Sequence, residues 1–174
     1  MEAEPAVRLR AATAEDAEAI VALLQAVAAE GMLGIDAASL QPQEEAARLA
    51  ALELEHACAL VVVHGAHLIG FAVAIRGLEA STAHAATVSL AVETTWRRHG
   101  IGQMLLQGVR VWAAAAGLRR IGAGVARPNE AALALFHRAG YAVEGVQRDQ
   151  LRIHDTFCDE VLFGLVLLAP DVSQ

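Results

Sequence analysis

A short basic segment with two glycines offers the clearest chemistry in the sequence. Arg97-Arg98-His99 is followed at once by Gly100-Ile101-Gly102-Gln103, and this stretch opens a run of apolar residues at helical spacing. The first turn of a helix has unpaired backbone N–H groups and the positive end of the helix dipole, so it can bind phosphate. Glycines keep those groups accessible, and the arginines could add charge at the rim. A phosphate-bearing ligand is therefore one interpretation, and a tight strand-to-helix turn without a ligand is the other.

Two other phosphate-binding loops do not fit this segment. A Rossmann fingerprint requires a third glycine in Gly-x-Gly-x-x-Gly and an acidic residue at the end of the following strand, and neither is present at the required distance. A P-loop requires Gly-Lys-Ser/Thr, which the sequence lacks. Neither a Rossmann dinucleotide-binding fold nor a P-loop nucleoside triphosphatase is therefore predicted.

Hydrophobic periodicity predicts the elements that position this segment. Helices are expected at about 13–29, 43–54, 100–116 and 129–140. Strands are expected at about 7–10, 59–63, 68–75, 87–92, 120–125, 142–153 and 157–168. This order predicts one α/β domain over residues 1–174, with a mixed seven-stranded sheet flanked by about four helices.

Composition and charge narrow the class of protein. The 174 residues are 56% hydrophobic and 19% charged, which is typical of one globular domain. A net charge of −7 argues against general nucleic-acid binding. No apolar run reaches eighteen residues and no secretory signal is visible, so we expect a cytoplasmic chain without a membrane partner. Cys58 and Cys158 are far apart and the seven histidines form no HExxH group, so no metal site is predicted.

Two motifs resemble one family. Arg97 to Gly102 resembles the motif Arg/Gln-x-x-Gly-x-Gly/Ala of the GNAT superfamily of N-acetyltransferases, and an apolar strand ending Leu90-Ala91-Val92 precedes it. Downstream, Asn129 to Tyr141 resembles the second GNAT signature, Asn-x-x-Ala-x-x-Leu-Tyr-x-x-x-Gly-Phe. The order of elements is also similar, so the resemblance covers nearly the whole chain and implies the GNAT fold.

The resemblance implies acetyl-CoA as co-substrate and gives roles to individual residues. The backbone of Leu90, Ala91 and Val92 would pair with the pantetheine arm in a gap between splayed strands. The backbone from Arg98 through His99, Gly100, Ile101 and Gly102 to Gln103 would bind the pyrophosphate. Asn129 would hydrogen-bond the pantetheine arm, and it is also placed to cap a helix. The implied reaction is direct attack of a primary amine on the thioester.

The sequence departs from the family pattern at the catalytic positions. The tyrosine that often serves as general acid falls at Phe136, which lines the implied cofactor site and has no proton to give. A carboxylate often found early in the preceding strand falls near Ala85-Ala86. His84 is a candidate for proton transfer through water, since an imidazole can accept and donate a proton near neutral pH, and an ordinary surface histidine is the alternative. Tyr141 takes the place of a buried phenylalanine, so its hydroxyl is expected to be structural.

The acceptor is left open between several possibilities. In the family the acceptor lies against the segments that correspond to residues 28–43 and 148–157 here. Acidic side chains in and next to the first segment favour a cationic amine, and the alternative is that they form a solvated helix surface. These acidic residues are Glu30, Asp36, Glu44 and Glu45. The pattern Glu144-Gly145-x-x-Arg148 resembles a subgroup that acts on small amines, amino acids or ribosomal-protein N-termini. We expect a small-molecule amine, with a protein N-terminus or a non-catalytic acyl-CoA-binding module as alternatives. Exposed apolar residues in 161–168 predict a homodimer.

Overall fold

A computed structural model of the chain describes residues 6–31, 39–153 and 155–167. Seven strands form one sheet in the order β1-β2-β3-β4-β5-β7-β6. The strands are β1 (Val7–Ala11), β2 (Ala57–His64), β3 (His67–Arg76), β4 (Ala85–Val92), β5 (Arg120–Ala126), β6 (Ala142–Ile153) and β7 (Thr156–Val166). Strands β4 and β5 run parallel and the other neighbouring pairs are antiparallel. The predicted mixed seven-stranded α/β fold is confirmed.

Four α-helices flank the sheet, as the periodicity predicts. They are α1 (Ala17–Ala29), α2 (Pro42–Ala50), α3 (Ile101–Ala115) and α4 (Glu130–Arg138). Single turns of 3₁₀ helix precede α1 and α3, at Ala14–Asp16 and Thr94–Trp96. Helix α2 ends four residues before the predicted end at 54, because the chain turns after Ala50 and leaves Leu54 68% exposed.

The two faces of the sheet have separate cores. Residues at one parity of the strands, such as Val62, Val88 and Phe163, pack with α3 and α4. Residues at the other parity in β2 to β4, such as Val61 and Ala91, pack with α1 and α2. Helices α1 and α2 therefore cover this face of the sheet over β2 to β4, and Gly124 of β5 is exposed on the same face.

The last strand is not at the edge of the sheet. Strand β7 lies between β5 and β6 and is paired on both sides, from Arg120↔Val166 on one side to Ile153↔Thr156 on the other. The expectation that the apolar stretch 161–168 could pair with another chain is therefore wrong for its described part, since both sides of β7 are already paired. Val161 and Phe163 are buried, and Val166 is 60% exposed. Leu168 lies outside the described residues. The homodimer prediction loses this support.

Phe163 tests the core that joins β7 to α4. Its ring is 1% exposed and stacks on Phe136, with the ring centroids 5.5 Å apart. We expect Phe163→Ala to lower the free energy of unfolding by about 3–5 kcal/mol, because it removes a fully buried ring and leaves a cavity. Urea denaturation measures the loss. Phe157→Ala on the same strand is the control, since that ring is 63% exposed and its removal should cost less than about 0.5 kcal/mol.

Candidate functional site

The two parallel strands diverge and leave a cleft in the sheet. Strands β4 and β5 pair at three positions, from Ala85↔Arg120 to Thr87↔Gly122, and then part. Each continues on its outer side, where β4 pairs with β3 as far as Val92 and β5 pairs with β7 as far as Ala126. Backbone polar groups that face the cleft therefore have no strand partner and are available to a ligand. Leu90, Ala91 and Val92 form the β4 wall of this cleft near its open end.

The basic loop at the open end of the cleft has a backbone shaped for an anion. Arg98 and Gly100 both have left-handed backbones, with φ of 64° and 83°. The first hydrogen bond that closes onto α3 runs from the Met104 N–H to the Gly100 carbonyl, 3.0 Å. Within the described residues, the six N–H groups of 98–103 donate no hydrogen bond. Consecutive free N–H groups in a loop of this kind form an anion-binding nest at the positive end of a helix.

Arg97 is directed away from this nest and ties the loop to α1. Its guanidinium donates to both carboxylate oxygens of Glu30, at 2.7 and 3.0 Å, and to the carbonyl of Val92, at 3.2 Å. The hydroxyl of Thr94 donates to the same carboxylate at 2.5 Å. The hydrogen bonds from Arg97 and Thr94 lower the pKa of Glu30. The charge nearest the nest is therefore that of Arg98, whose side chain is exposed.

Two aromatic contacts fix the remaining part of the loop. The Trp96 ring lies against His64 of β2, with the centroids 4.7 Å apart, and its edge faces His99 at 6.0 Å. The Nδ1 atom of His99 lies 2.8 Å from the carbonyl oxygen of Arg97. The His99 side chain thus supports the loop conformation, while its backbone N–H remains part of the nest.

Glycine at position 102 allows α3 and α4 to approach each other. A Cβ atom at Gly102 would lie 2.7 Å from a methyl group of Leu135 on α4, inside van der Waals contact. Ile101 is buried in the core, and Gln103 lies half-buried on the outer turn. The glycine therefore serves packing as well as access to the backbone N–H groups, a role that the motif alone does not reveal.

Asn129 lies across the cleft from the loop, between β5 and α4. Its side-chain oxygen accepts a hydrogen bond from the N–H of Ala132 at 3.1 Å, so it caps α4. The structure therefore shows the capping role that the sequence predicts for this residue. Its position after the last residue of β5 also places it at the mouth of the cleft.

Phe136 and Tyr141 are both buried. In the family pattern Phe136 stands at the position of the general-acid tyrosine, and Tyr141 stands at the position of a core phenylalanine. Phe136 is 4% exposed and packs edge-to-face on Tyr141, with centroids 5.1 Å apart. The Tyr141 hydroxyl is buried without a hydrogen-bond partner among the described residues, and burial raises its pKa to about 12. It lies beside a small pocket lined by Gln103 and Arg110, and it is a poor proton donor at neutral pH. Neither ring therefore supplies an accessible acid.

His84 lies at the opposite end of β4 from the loop. It is exposed in the turn before Ala85, and its backbone carbonyl accepts from the N–H of Arg119 at 2.7 Å. Eight residues of extended strand separate it from Val92, which corresponds to about 26 Å. The structure thus places the end of β4, the 98–103 nest and Asn129 at the open end of one cleft. It holds the Arg97 guanidinium at Glu30, buries Phe136 in the core, and leaves His84 at the end where β4 and β5 are still paired.

Two absences are observed in the described parts of the chain. No helix there is long and apolar enough to cross a bilayer. Across the same residues, no three His, Cys, Asp or Glu side chains group in a way that would hold a metal ion. Asp36, one of the acidic residues expected near the acceptor, lies outside the described residues.

The comparison with protein families decides the class of enzyme. The model of the GNAT acetyltransferase family matches residues 22–141, which include α2 to α4 and β2 to β5. The chain belongs to the GNAT acetyltransferase family. It is therefore an acyl-CoA-dependent N-acetyltransferase that uses acetyl-CoA, as its two sequence motifs predict.

Solved structures of GNAT proteins share the fold over nearly the full chain. A GNAT acetyltransferase from Streptococcus pneumoniae is 25% identical, with a TM-score of 0.85 over 93% of this chain and 100% of its own. A phosphinothricin acetyltransferase from Sinorhizobium meliloti, in complex with acetyl-CoA, is 19% identical, with a TM-score of 0.85 over 97% and 92%. A ribosomal-protein-alanine N-acetyltransferase from Brucella melitensis is 21% identical, with a TM-score of 0.83 over 92% and 99%. No curated protein matches the chain significantly.

The link between Glu30 and Arg97 predicts a pH-dependent contribution to stability. Because the pKa of Glu30 is lowered in the folded chain, its contribution is present above the ordinary value of 4.5 and is lost as the pH falls through the lower folded value. We expect Glu30→Gln to cost less than about 1 kcal/mol at pH 7, since both side chains are about one-third exposed. The difference from wild type should shrink as the pH falls below 4.5 and should be lost below the folded pKa. Chemical denaturation over a series of pH values measures it, and a difference independent of pH would contradict the assignment.

Proposed function

We propose that this N-acetyltransferase transfers the acetyl group of acetyl-CoA to a primary amine of a small molecule, at the cleft between β4 and β5. The observation that carries the proposal is the run of six unbonded N–H groups, 98–103, at the open end of that cleft. A pyrophosphate requires several donors converging on one place, and the divergent strands next to it offer backbone groups to an extended amide-containing arm.

Each wall of the cleft has a proposed role in binding acetyl-CoA. The backbone of Leu90, Ala91 and Val92 pairs with the pantetheine amides, and Asn129 approaches the same arm from the β5 side. The nest binds the pyrophosphate, and the exposed guanidinium of Arg98 supplies positive charge to it. Phe136 contributes an apolar floor under the acyl end. Arg97 holds the loop to α1, and we assign it no direct contact with phosphate because its guanidinium is held by the Glu30 carboxylate and the Val92 carbonyl.

The reaction needs a neutral amine and a way to protonate the leaving sulfur. The amine nitrogen attacks the thioester carbon and loses one proton to water, the carbon–sulfur bond breaks, and its electron pair remains on sulfur as a thiolate. A backbone N–H on the free edge of β4 can stabilise the oxyanion that forms. Because Phe136 has no acidic proton, we propose that water protonates the thiolate. His84 remains a candidate for proton transfer only through solvent, and His84→Ala tests it by comparing the pH dependence of kcat with that of wild type.

Two kinds of acceptor are represented among the similar structures, a small amino acid analogue and a ribosomal-protein N-terminus. We favour a small amine because no extended basic or aromatic surface is evident in the sequence for a protein tail. The assay below includes both kinds, so that either acceptor would be detected.

The proposed function is tested by release of free CoA. Purified protein is incubated with acetyl-CoA and, in turn, with pooled amino acids, polyamines, aminoglycosides and N-terminal peptides, and the new thiol is titrated. We expect release above hydrolysis with one small-molecule pool. Release with the peptide pool alone would replace the small-amine acceptor by a protein N-terminus. No release with any pool, although acetyl-CoA still raises the melting temperature, would contradict catalysis of amine acetylation.

Two substitutions of Gly102 test whether acetyl-CoA binds at the start of α3. We expect Gly102→Glu to weaken acetyl-CoA binding by about 100-fold, because it places a negative charge in the nest and displaces Leu135. Gly102→Gln has nearly the same size without the charge, so the difference between the two variants isolates the electrostatic part. Calorimetric titration with acetyl-CoA measures both. Equal affinities for Gly102→Glu and wild type would show that the pyrophosphate does not bind at the start of α3.

A further inference from the structure

Three glycines lie on the face of β5 and β7 that is opposite α3 and α4. On β5 and β7, glycines occupy 122, 124 and 164, and Gly124 lies two residues beyond the last β4–β5 pair. Alternation along β4 places Thr87 and Ser89, both exposed, on this same face across the cleft. We call this surface, on the side of the cleft away from α3 and α4, the open face.

Two of the charged side chains described on the open face are paired with each other. Arg120 and Glu144 form a two-pronged ion pair that lies over Gly164. This contact raises the pKa of Arg120 and lowers that of Glu144, so both remain charged. Glu160 of β7 also lies on this face, but no described residue forms an ion pair or hydrogen bond with its carboxylate. On the opposite face, the neighbouring Asp159 is bound by Arg127 at 3.0 Å.

The Glu160 carboxylate lies beside the cleft. It lies directly over Gly124, and a Cβ atom at that residue would overlap it. Gly124 belongs to the part of β5 that has separated from β4, so the carboxylate is held at the side of the gap in which we propose that the acyl arm binds. A half-buried carboxylate beside a reacting centre attracts a cation and repels an anion.

We propose that Glu160 is the acceptor-recognition residue and that the acceptor is a cationic aliphatic amine, such as a diamine, rather than an amino acid. An amino acid would bring a carboxylate that needs a cation, and Arg120, which lies on this face, is already neutralised by Glu144. An ammonium group on the acceptor finds a partner in the Glu160 carboxylate, which lies over Gly124 beside the cleft. This inference rests on the proposed acetylation of small amines, which it deepens.

A series of three acceptors with four carbons each tests the charge at the far end. The probes are 1,4-diaminobutane, n-butylamine and 4-aminobutanoate, which end in an ammonium, a methyl group and a carboxylate. For wild type we expect kcat/KM to fall in that order, by about 10- to 100-fold between the first and the second. For Glu160→Gln we expect the diamine to lose this advantage through a raised KM, while the KM for acetyl-CoA stays within about twofold.

Two pairs of variants separate recognition from folding. Glu79→Gln removes the same charge from a surface loop and should leave the acceptor series unchanged. Gly124→Ala should reproduce the effect of Glu160→Gln, because the added methyl group displaces the carboxylate. Gly145→Ala on β6 is its control, since a Cβ there meets nothing within 4 Å. Melting temperatures of all four variants are compared with wild type, and a KM change without a change in melting temperature assigns the effect to recognition.

The outcomes distinguish this inference from the function on which it rests. A wild-type enzyme that turns over amino acids faster than the diamine, or a Glu160→Gln variant with an unchanged acceptor series, would overturn the role of Glu160 and leave amine acetylation standing. A wild-type enzyme that binds acetyl-CoA and acetylates no amine of any pool would overturn the proposed function and, with it, this role. Loss of the diamine advantage in both Glu160→Gln and Gly124→Ala, with both controls unchanged, is the result we expect.

Discussion

The divergence of β4 from β5 is the constraint on which the rest of the site depends. Parallel pairing stops after Thr87↔Gly122, although both strands continue. Beyond that point each strand is paired on its outer side, β4 with β3 and β5 with β7, and not with the strand across the gap. A sheet with unpaired backbone in its centre is costly unless something else satisfies those polar groups. In this fold α3 and α4 pack against each other beside the gap, with Gly102 against Leu135, and the unpaired edges become a binding surface.

The anion-binding loop depends on this divergence for its position. Beyond Thr87 the chain continues along β4 without pairing to β5 and then runs through the 3₁₀ turn Thr94–Trp96 to the free N–H groups of 98–103 at the start of α3. Glu30 then fixes the turn from the other side of the sheet by holding Arg97 and Thr94. Helix α1 ends at this carboxylate, so the end of α1 and the anion-binding loop share one anchor.

The sequence predicts the elements better than their arrangement. Apolar periodicity and the glycines at 100 and 102 are local signals, and they locate the strands, the four helices and the anion-binding turn. Strand order is not a local property, which is why β7 was expected at an edge and lies inside the sheet. The partner of Arg97 is 67 residues away in the chain, and no spacing rule connects the two. The unpaired state of Glu160 likewise becomes visible only when β5 and β7 are placed side by side.

Amide hydrogen exchange with and without acetyl-CoA tests the central claim most directly, because it reads the backbone groups themselves. In the free protein the N–H groups of 98–103 have no acceptor in the described structure, so they should exchange rapidly. If the turn before α3 and the gap between β4 and β5 bind acetyl-CoA, saturating ligand should slow exchange at 98–103 and along 88–92. Protection elsewhere, with both segments exchanging as in the free protein, would show that acetyl-CoA binds outside the cleft.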